Sequence, residues 1–250
     1  MAADPLAPLD QLLASASGAL AVPDTWQQGR GAYGGFVTGS MIRALEASAP
    51  DRPLRSLTAE LCGPLQPGDA TIELAVLRAG SAVTTATARV VQRGEVQAHG
   101  VGVLGRARAD AEHRVALQPP ALPPWREVAI SPVAGGPSFA QHFEYRVVAM
   151  HGDILGWVRP RRPGGRRDAA YLAACIDAYW PTLLDVARPR PMATIAFTFQ
   201  PLALAAGDAP LAYRGRFLAG EAGYFVEQRE LWDETGRLLA LNQQTFVVIK

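Results

Sequence analysis

Cysteine is nearly missing from this chain, which holds only Cys62 and Cys175. Two thiols give neither a disulfide framework nor a metal-ligand spacing, and each stands in an apolar run where a small buried hydrophobe is expected. Histidine is scarce as well. His99, His113, His142 and His151 show no ligand spacing and no neighbouring acidic cluster, which argues against a metal centre. No run of eighteen apolar residues occurs, and Met1 to Leu20 lacks a basic start followed by an unbroken apolar stretch, so neither a membrane span nor a secretory leader is expected. An excess of charge is missing too: 24 Lys plus Arg stand against 23 Asp plus Glu, leaving no global field for nucleic acid or a membrane surface. The expectation is a soluble cytoplasmic protein without metal or cofactor, in which any anionic ligand is held locally.

What the chain does have is apolar content, 49% of its residues, and a length that permits one large domain or two small joined ones; internal repeats decide between these. After a short helix-like stretch at Leu6 to Ala14, Gly31-Ala-Tyr-Gly-Gly-Phe36 leads into Val37 to Ala49. There Val37, Met41, Ala44, Leu45 and Ala49 follow helical spacing, and Pro50 closes the helix. Four strand-like runs follow, Leu54 to Leu65, Ala70 to Arg78, Ala82 to Arg93 and Glu95 to Leu104, with Arg93-Gly94 as a hairpin signal. From about Gly105 to Pro137 the chain carries Pro119-Pro120, Pro123-Pro124 and Gly135-Gly136 without periodicity, and reads as a linker running over the surface. Beyond it, Phe139 to Met150 and Ile154 to Val158 read as strands. A helix over Asp168 to Asp185 follows, and then strands at Met192 to Leu204, Leu211 to Leu218, Tyr224 to Trp232 and Arg237 to Ile249.

The second half repeats the first. Pro64-Leu65 and Pro201-Leu202 end the first strand after each helix, 137 residues apart (64 to 201). Gly68-Asp69-Ala70 recurs as Gly207-Asp208-Ala209, Ala79-Gly80 as Ala219-Gly220, and Gly94 as Gly236. In Thr194-Ile-Ala-Phe-Thr-Phe-Gln200, the large residues Ile195, Phe197 and Phe199 alternate with smaller ones, so one strand face packs on the helix. Each half alone would leave strand edges open, and pairing the halves edge to edge would remove that liability. The predicted fold is α+β, a double hotdog with residues 1–105 as the first unit, 106–136 as linker and 137–250 as the second unit.

These residues resemble the acyl-CoA thioesterase II family and the wider thioesterase-like double hotdog proteins, over almost the whole chain. The likeness is carried by Tyr33-Gly-Gly-Phe36, by Arg52-Pro-Leu-Arg-Ser-Leu-Thr58 with Pro64 and Gly68, and by the Gly80 to Gly94 hairpin. It continues through Gly156-Trp-Val-Arg159, Cys175-Ile-Asp177, Ala193-Thr-Ile195 and Leu231 to Gln244. The resemblance implies hydrolysis of an acyl-CoA or acyl-carrier thioester by a water activated by Asp177, Thr194 and Gln244, with Gln243 as the neighbouring alternative to Gln244. After Thr194 the sequence departs from members that carry a His and an aromatic cluster, having Phe197, Thr198, Phe199 and Gln200 instead.

Thioester hydrolysis needs a positioned water, an acceptor for its proton and donors aimed at the developing oxyanion. A carboxylate with two amphoteric partners can supply the first two. Gly34 and Gly35 before the helix let backbone N–H groups approach a ligand, with Tyr33 beside them, and Arg159 opens an arginine cluster, with Arg161, Arg162, Arg166 and Arg167, suited to phosphates. The bland readings are a tight turn and a solvated loop. The repeat offset places Leu57 and Gly102 opposite Thr194 and Gln244, so an asymmetric site in the second half is expected. The competing expectations are a non-hydrolytic binder of acyl or polyketide thioesters, a lyase-type hotdog protein, and a structural subunit with a vestigial site. A homo-oligomer, dimeric or higher, is expected.

Overall fold

The computed structural model describes residues 7–13, 18–108, 114–133, 135–185 and 191–249. Its helices are α1 (Leu9–Leu12), α2 (Gly34–Ser48) and α3 (Ala169–Ile176). The strands of the first half are β1 (Ala19–Val22), β2 (Gln27–Gln28), β3 (Gly31–Ala32), β4 (Leu54–Leu61), β5 (Gly68–Ala79), β6 (Val83–Gln92) and β7 (Glu95–Gly105). Those of the second are β8 (Phe143–Ala149), β9 (Ile154–Pro160), β10 (Met192–Pro201), β11 (Leu211–Glu221), β12 (Tyr224–Trp232) and β13 (Leu238–Val248). Apart from the small β2–β3 ribbon, the strands form one antiparallel sheet in the order β1-β5-β6-β7-β4-β10-β13-β12-β11-β9-β8. The seam is the pairing of β4 with β10, which sets Thr58 opposite Thr198 and Leu57 opposite Phe199. One edge of each half is used up there, and β1 and β8 remain as the outer edges of the sheet. Helix α2 packs on α3, and the sheet wraps them both, which is the double hotdog that the repeat predicts.

Strands β4 to β7 correspond in order to β10 to β13, while β8 has no counterpart in the first half, and the hydrogen bonds fix the register. Amides of Cys62 and Gly63 both donate to the Gln97 carbonyl, at 2.9 and 3.0 Å, just as those of Leu202 and Ala203 donate to the Leu239 carbonyl at 2.8 and 3.2 Å. The β4–β7 pairing bulges between Leu54 and Ser56, and the β10–β13 pairing between Thr194 and Ala196. Thr194 therefore corresponds to Leu54, not to Leu57 as the Pro-Leu spacing implies, because the loops that carry the two Pro-Leu pairs are not equivalent. Gly102 remains the counterpart of Gln244.

Packing differs sharply between the halves. In the first, small residues on β6 and β7, namely Ala86, Ala88, Gly100 and Gly102, lie under the large side chains of α2. A Cβ on Gly102 would stand 2.7 Å from Leu45 Cδ1, and one on Gly100 2.8 Å from Met41 Cε. In the second, the small residues are on the helix, at Ala169, Ala170, Ala173 and Ala174, and the bulk and polarity lie on β12 and β13.

Several boundaries differ from the sequence reading. Helix α3 ends at Ile176, well short of Asp185, because Pro181 bars its predecessor from helical geometry and Asp177 already stands at the C-cap. Strands β4 and β10 stop at Leu61 and Pro201 where their following amides turn to a single carbonyl. Residues Ser138–His142 form a 3-10 turn ahead of β8, and β1 has no precursor in the reading. Of the helix expected over Leu6 to Ala14, Leu9–Leu12 is helical, and Leu6 and Ala14 lie outside the described residues.

The proline-rich connection lies along the outer face of the second half. Val115, Leu117, Leu122, Trp125 and Val128 pack on Trp157, Ala212, Trp232 and Leu238. The Trp125 ring is flanked by the guanidinium groups of Arg126, Arg146 and Arg159 at 4.4, 4.9 and 5.6 Å. No described helix is long and apolar enough to cross a membrane.

Strand β9 approaches β8 very closely at Gly156, where a Cβ would stand 2.5 Å from the Arg146 carbonyl oxygen and would also strike the Tyr179 hydroxyl. Backbone cannot yield as a side-chain tip can, so Gly156→Ala is expected to destabilise the fold by about 1–3 kcal/mol in denaturant unfolding. Unchanged stability would show that the β8–β9 contact is slack.

Candidate active site

The Tyr33-Gly34-Gly35 turn opens α2 against the C-terminal end of α3. Tyr33 is fully buried, stacks on Phe139 at 4.0 Å and donates its hydroxyl to the Ala174 carbonyl. This ties the start of one helix to the end of the other. The next requirement falls on Gly34: a Cβ there would lie 2.8 Å from Asp177 Oδ2. Only glycine lets the helix start come so close to the carboxylate. The Gly35 backbone N–H lowers the Asp177 carboxyl, as expected of an anion near a helix N-terminus.

Asp177 sits at the C-cap of α3 because the helix stops there, and its side chain is turned inward and buried. Gln244 on β13 donates from Nε2 to Asp177 Oδ1 at 2.7 Å and to Asn242 Oδ1 at 2.9 Å. Thr194 on β10 donates from Oγ1 to Gln244 Oε1 at 3.0 Å. The adjacent Gln243 points outward and is exposed, so Gln244 is the glutamine facing the carboxylate. Both Gln244 donors and its acceptor are engaged, which fixes the amide orientation.

A second layer stands behind Asp177. Arg229 on β12 donates from Nη1 to Asp177 Oδ1 at 3.0 Å and from Nε to Glu227 Oε1 at 2.7 Å. Glu227 Oε2 accepts from the Thr182 amide and hydroxyl at 2.7 and 2.8 Å. Arg229, Glu227 and Thr182 are all buried. Burial pushes the Asp177 carboxyl above the ordinary carboxylate range; Arg229, Gln244 and the Gly35 N–H pull it back, and Glu227 adds to the rise. The result is a carboxylate fixed in geometry and more basic than a solvated one.

Arg229, Glu227, Thr182 and Asn242 escaped the sequence reading. On β12 charged or polar residues occupy both faces, Glu227 and Arg229 on one and Gln228 and Glu230 on the other, so period-two alternation does not say which face is the core. The signal that could have found them is the Glu227-x-Arg229 spacing, which puts opposite charges on one strand face.

Arg159 lies elsewhere. It is on β9, separated from β13 by β11 and β12, with its guanidinium bonded to Glu144 Oε2 at 2.8 Å and to the Asp208 carbonyl at 3.3 Å. With Arg161, Arg167 and Tyr171 it lines a cleft of about 310 Å³. Arg167 is itself bonded to Asp208, so two of these arginines are already matched by carboxylates. Among the described residues no group of three His, Cys, Asp or Glu side chains is arranged to hold a metal ion.

The model of the acyl-CoA thioesterase N-terminal domain matches residues 22–107, and that of the C-terminal domain matches residues 108–248. No curated protein matches the chain. Among solved structures, a thioesterase II candidate from Thermobifida fusca superposes with a TM-score of 0.85 at 23% identity, covering 99% of both chains. A hot dog fold protein of unknown function from Alicyclobacillus acidocaldarius gives 0.83 at 24% identity over 93% of this chain and 92% of that one. The acyl-CoA thioesterase II TesB2 of Mycobacterium marinum gives 0.73 at 18% identity over 87% and 89%. These likenesses show the fold; the two domain models together, spanning nearly the whole sequence, show that the chain belongs to the acyl-CoA thioesterase family.

Proposed function

We propose that the chain hydrolyses acyl-CoA thioesters to free acid and CoA with a water activated by Asp177, and positioned by Thr194 and Gln244. The observation that carries this reading is the chain of bonds from Thr194 through Gln244 to Asp177. Because the Thr194 proton is committed to Gln244, its oxygen is left as an acceptor. Asp177 Oδ1 takes both Gln244 and Arg229, while Oδ2 faces the Gly34–Gly35 turn. A water donating one hydrogen to Thr194 and the other to Asp177 keeps a lone pair for the thioester carbonyl carbon. As its oxygen bonds to that carbon, the shared proton passes to Asp177. The C–S bond then breaks, and the departing sulfur takes the proton, returning the carboxylate. Placed over the start of α2, the carbonyl oxygen develops its negative charge at the positive end of the helix, at the Gly34–Gly35 turn.

Free-thiol release from a panel of acyl-CoAs should fall at least about 100-fold in kcat/KM in Asp177→Asn, the loss typical of removing a general base. If no acyl-CoA is cleaved faster by the native chain than by this variant, the proposal fails.

Asp177 acts only when ionised, and burial raises its carboxyl. The expected kcat/KM therefore climbs with pH along a limb lying above about 4, the ordinary carboxylate value. A profile already flat at pH 5 would contradict the assignment.

The same shift has a stability counterpart. A carboxyl that holds its proton more tightly when folded loses stability as pH rises from the unfolded value through the folded one, and the whole loss is present above the latter. The Asp177→Asn variant carries no such penalty. Its Tm, measured relative to the native chain, should rise between pH 4 and pH 8; a pH-independent difference would mean that the carboxyl is not raised.

A further inference from the structure

Arg229 and Glu227 take no part in the chemistry outlined above, yet both are charged and buried beside Asp177. A buried ion cluster seldom stabilises a fold better than apolar side chains of similar volume, so its presence needs another reason. The first half supplies a control. Through the pairings Ala88 with Gly100 and Ala86 with Gly102, matched by Arg229 with Asn242 and Glu227 with Gln244, the counterparts of Arg229 and Glu227 are Ala88 and Ala86. Those of Asn242 and Gln244 are Gly100 and Gly102, and that of Thr194 is Leu54. A hotdog half thus folds without any of these polar groups, and the ion cluster accompanies Asp177 alone.

We propose that Arg229 is a positioning residue for the Asp177 base, and that Glu227 tunes it by sharing the Arg229 charge between two carboxylates. The proposal rests on the reading of Asp177 as the base. One guanidinium bonds both acids, through Nη1 to Asp177 and through Nε to Glu227. Nη1 also reaches the Ile176 carbonyl at 3.4 Å, at the end of α3. Thr182 holds Glu227 from the far side with two bonds, so the guanidinium cannot swing wholly to Asp177. Full neutralisation by a private arginine would leave Asp177 a poor proton acceptor, whereas no arginine would leave it protonated and inert; a shared one lies between.

The other groups around Asp177 are Tyr33 just before α2, Tyr145 from β8, Tyr213 from β11 and Gln244 from β13, and Cys175 precedes it by two residues on α3. Burial raises the three tyrosine hydroxyls, and pushes the Cys175 thiol up to about 12. All four remain neutral where the base titrates, so the charge seen by Asp177 is set by Arg229 and Glu227.

The test is the pH profile of kcat/KM for acyl-CoA cleavage by the full chain and by Glu227→Gln, Arg229→Gln, Arg229→Lys and Asp177→Asn. Glu227→Gln frees Arg229 for Asp177 and is expected to move the acid limb to lower pH, by up to about one unit. Arg229→Gln should move it to higher pH by about one unit or more, with most of the loss in kcat, and Arg229→Lys should bring the limb most of the way back. Opposite shifts support the proposal. Limbs that stay in place while rates fall, in a background where Asp177→Asn is inactive, would show that the cluster is merely structural. If Arg229→Gln does not fold, the direction of the Glu227→Gln limb decides alone. Should Asp177→Asn keep the native rate, the reading of the base fails, and this inference with it.

Discussion

The seam between β4 and β10 governs most of what this molecule is. Setting these two strands antiparallel closes one open edge of each half, and it runs α2 and α3 side by side in opposite directions beneath one sheet. The start of α2 then lies at the end of α3, and that juxtaposition brings the Gly34–Gly35 turn against Asp177. The neighbouring strands β13 and β12 follow β10 in the sheet, so Gln244 and Arg229 arrive on the same carboxylate from two successive strands. An edge pairing between two strands, made of ordinary backbone bonds, thus fixes where the Gly34–Gly35 turn, Asp177, Gln244 and Arg229 meet.

Such a layout also creates a second, equivalent junction, where α3 starts and α2 ends. There the chain has chosen differently. Asp168 caps α3 and pairs with Arg43 of α2 at 3.0 Å, Glu46 accepts from the Leu54 amide at 2.9 Å, and Leu45 occupies the space over Gly102 that Gln244 fills in the other half. Helix and sheet trade volume: large α2 side chains rest on Ala and Gly strands, and alanine-rich α3 rests on strands bearing Arg, Glu, Asn and Gln. Close packing favours this exchange, because the space between helix and sheet must be filled from one side or the other. Where the strands supply the filling, they can supply chemistry as well.

Much of this was legible in the sequence, for identifiable reasons. The repeat showed where turn residues keep their backbone demands, as at Gly94 and Gly236, whereas Gly220 lies inside β11 and the turn of that half falls at Ala222-Gly223; Arg93 and Gly94 take positive φ values of 54° and 80°, the twist a two-residue hairpin wants. The alternation in β10 and the cap at Asp168 rest on equally local physics. The second carboxylate and its arginine did not show, because a buried charge looks in sequence like a solvated one, and only partners brought from distant strands reveal the difference. The offset of Leu54 was missed because Pro-Leu pairs mark strand ends only approximately when the loops beyond them differ in length. Gln243 and Gln244 could be told apart only once the pleat was known.

The proline-rich connection between the halves has an effect beyond joining them. By laying Leu122, Trp125 and Val128 across Trp157 and Trp232, it upholsters the back of one half with the chain's own side chains and clamps that cover with arginines stacked about a single indole. A molecule that began as two like modules thereby acquires a front and a rear that are chemically distinct at each end, so any surface that docks onto the bare strands of one module cannot be received in the same way by the other.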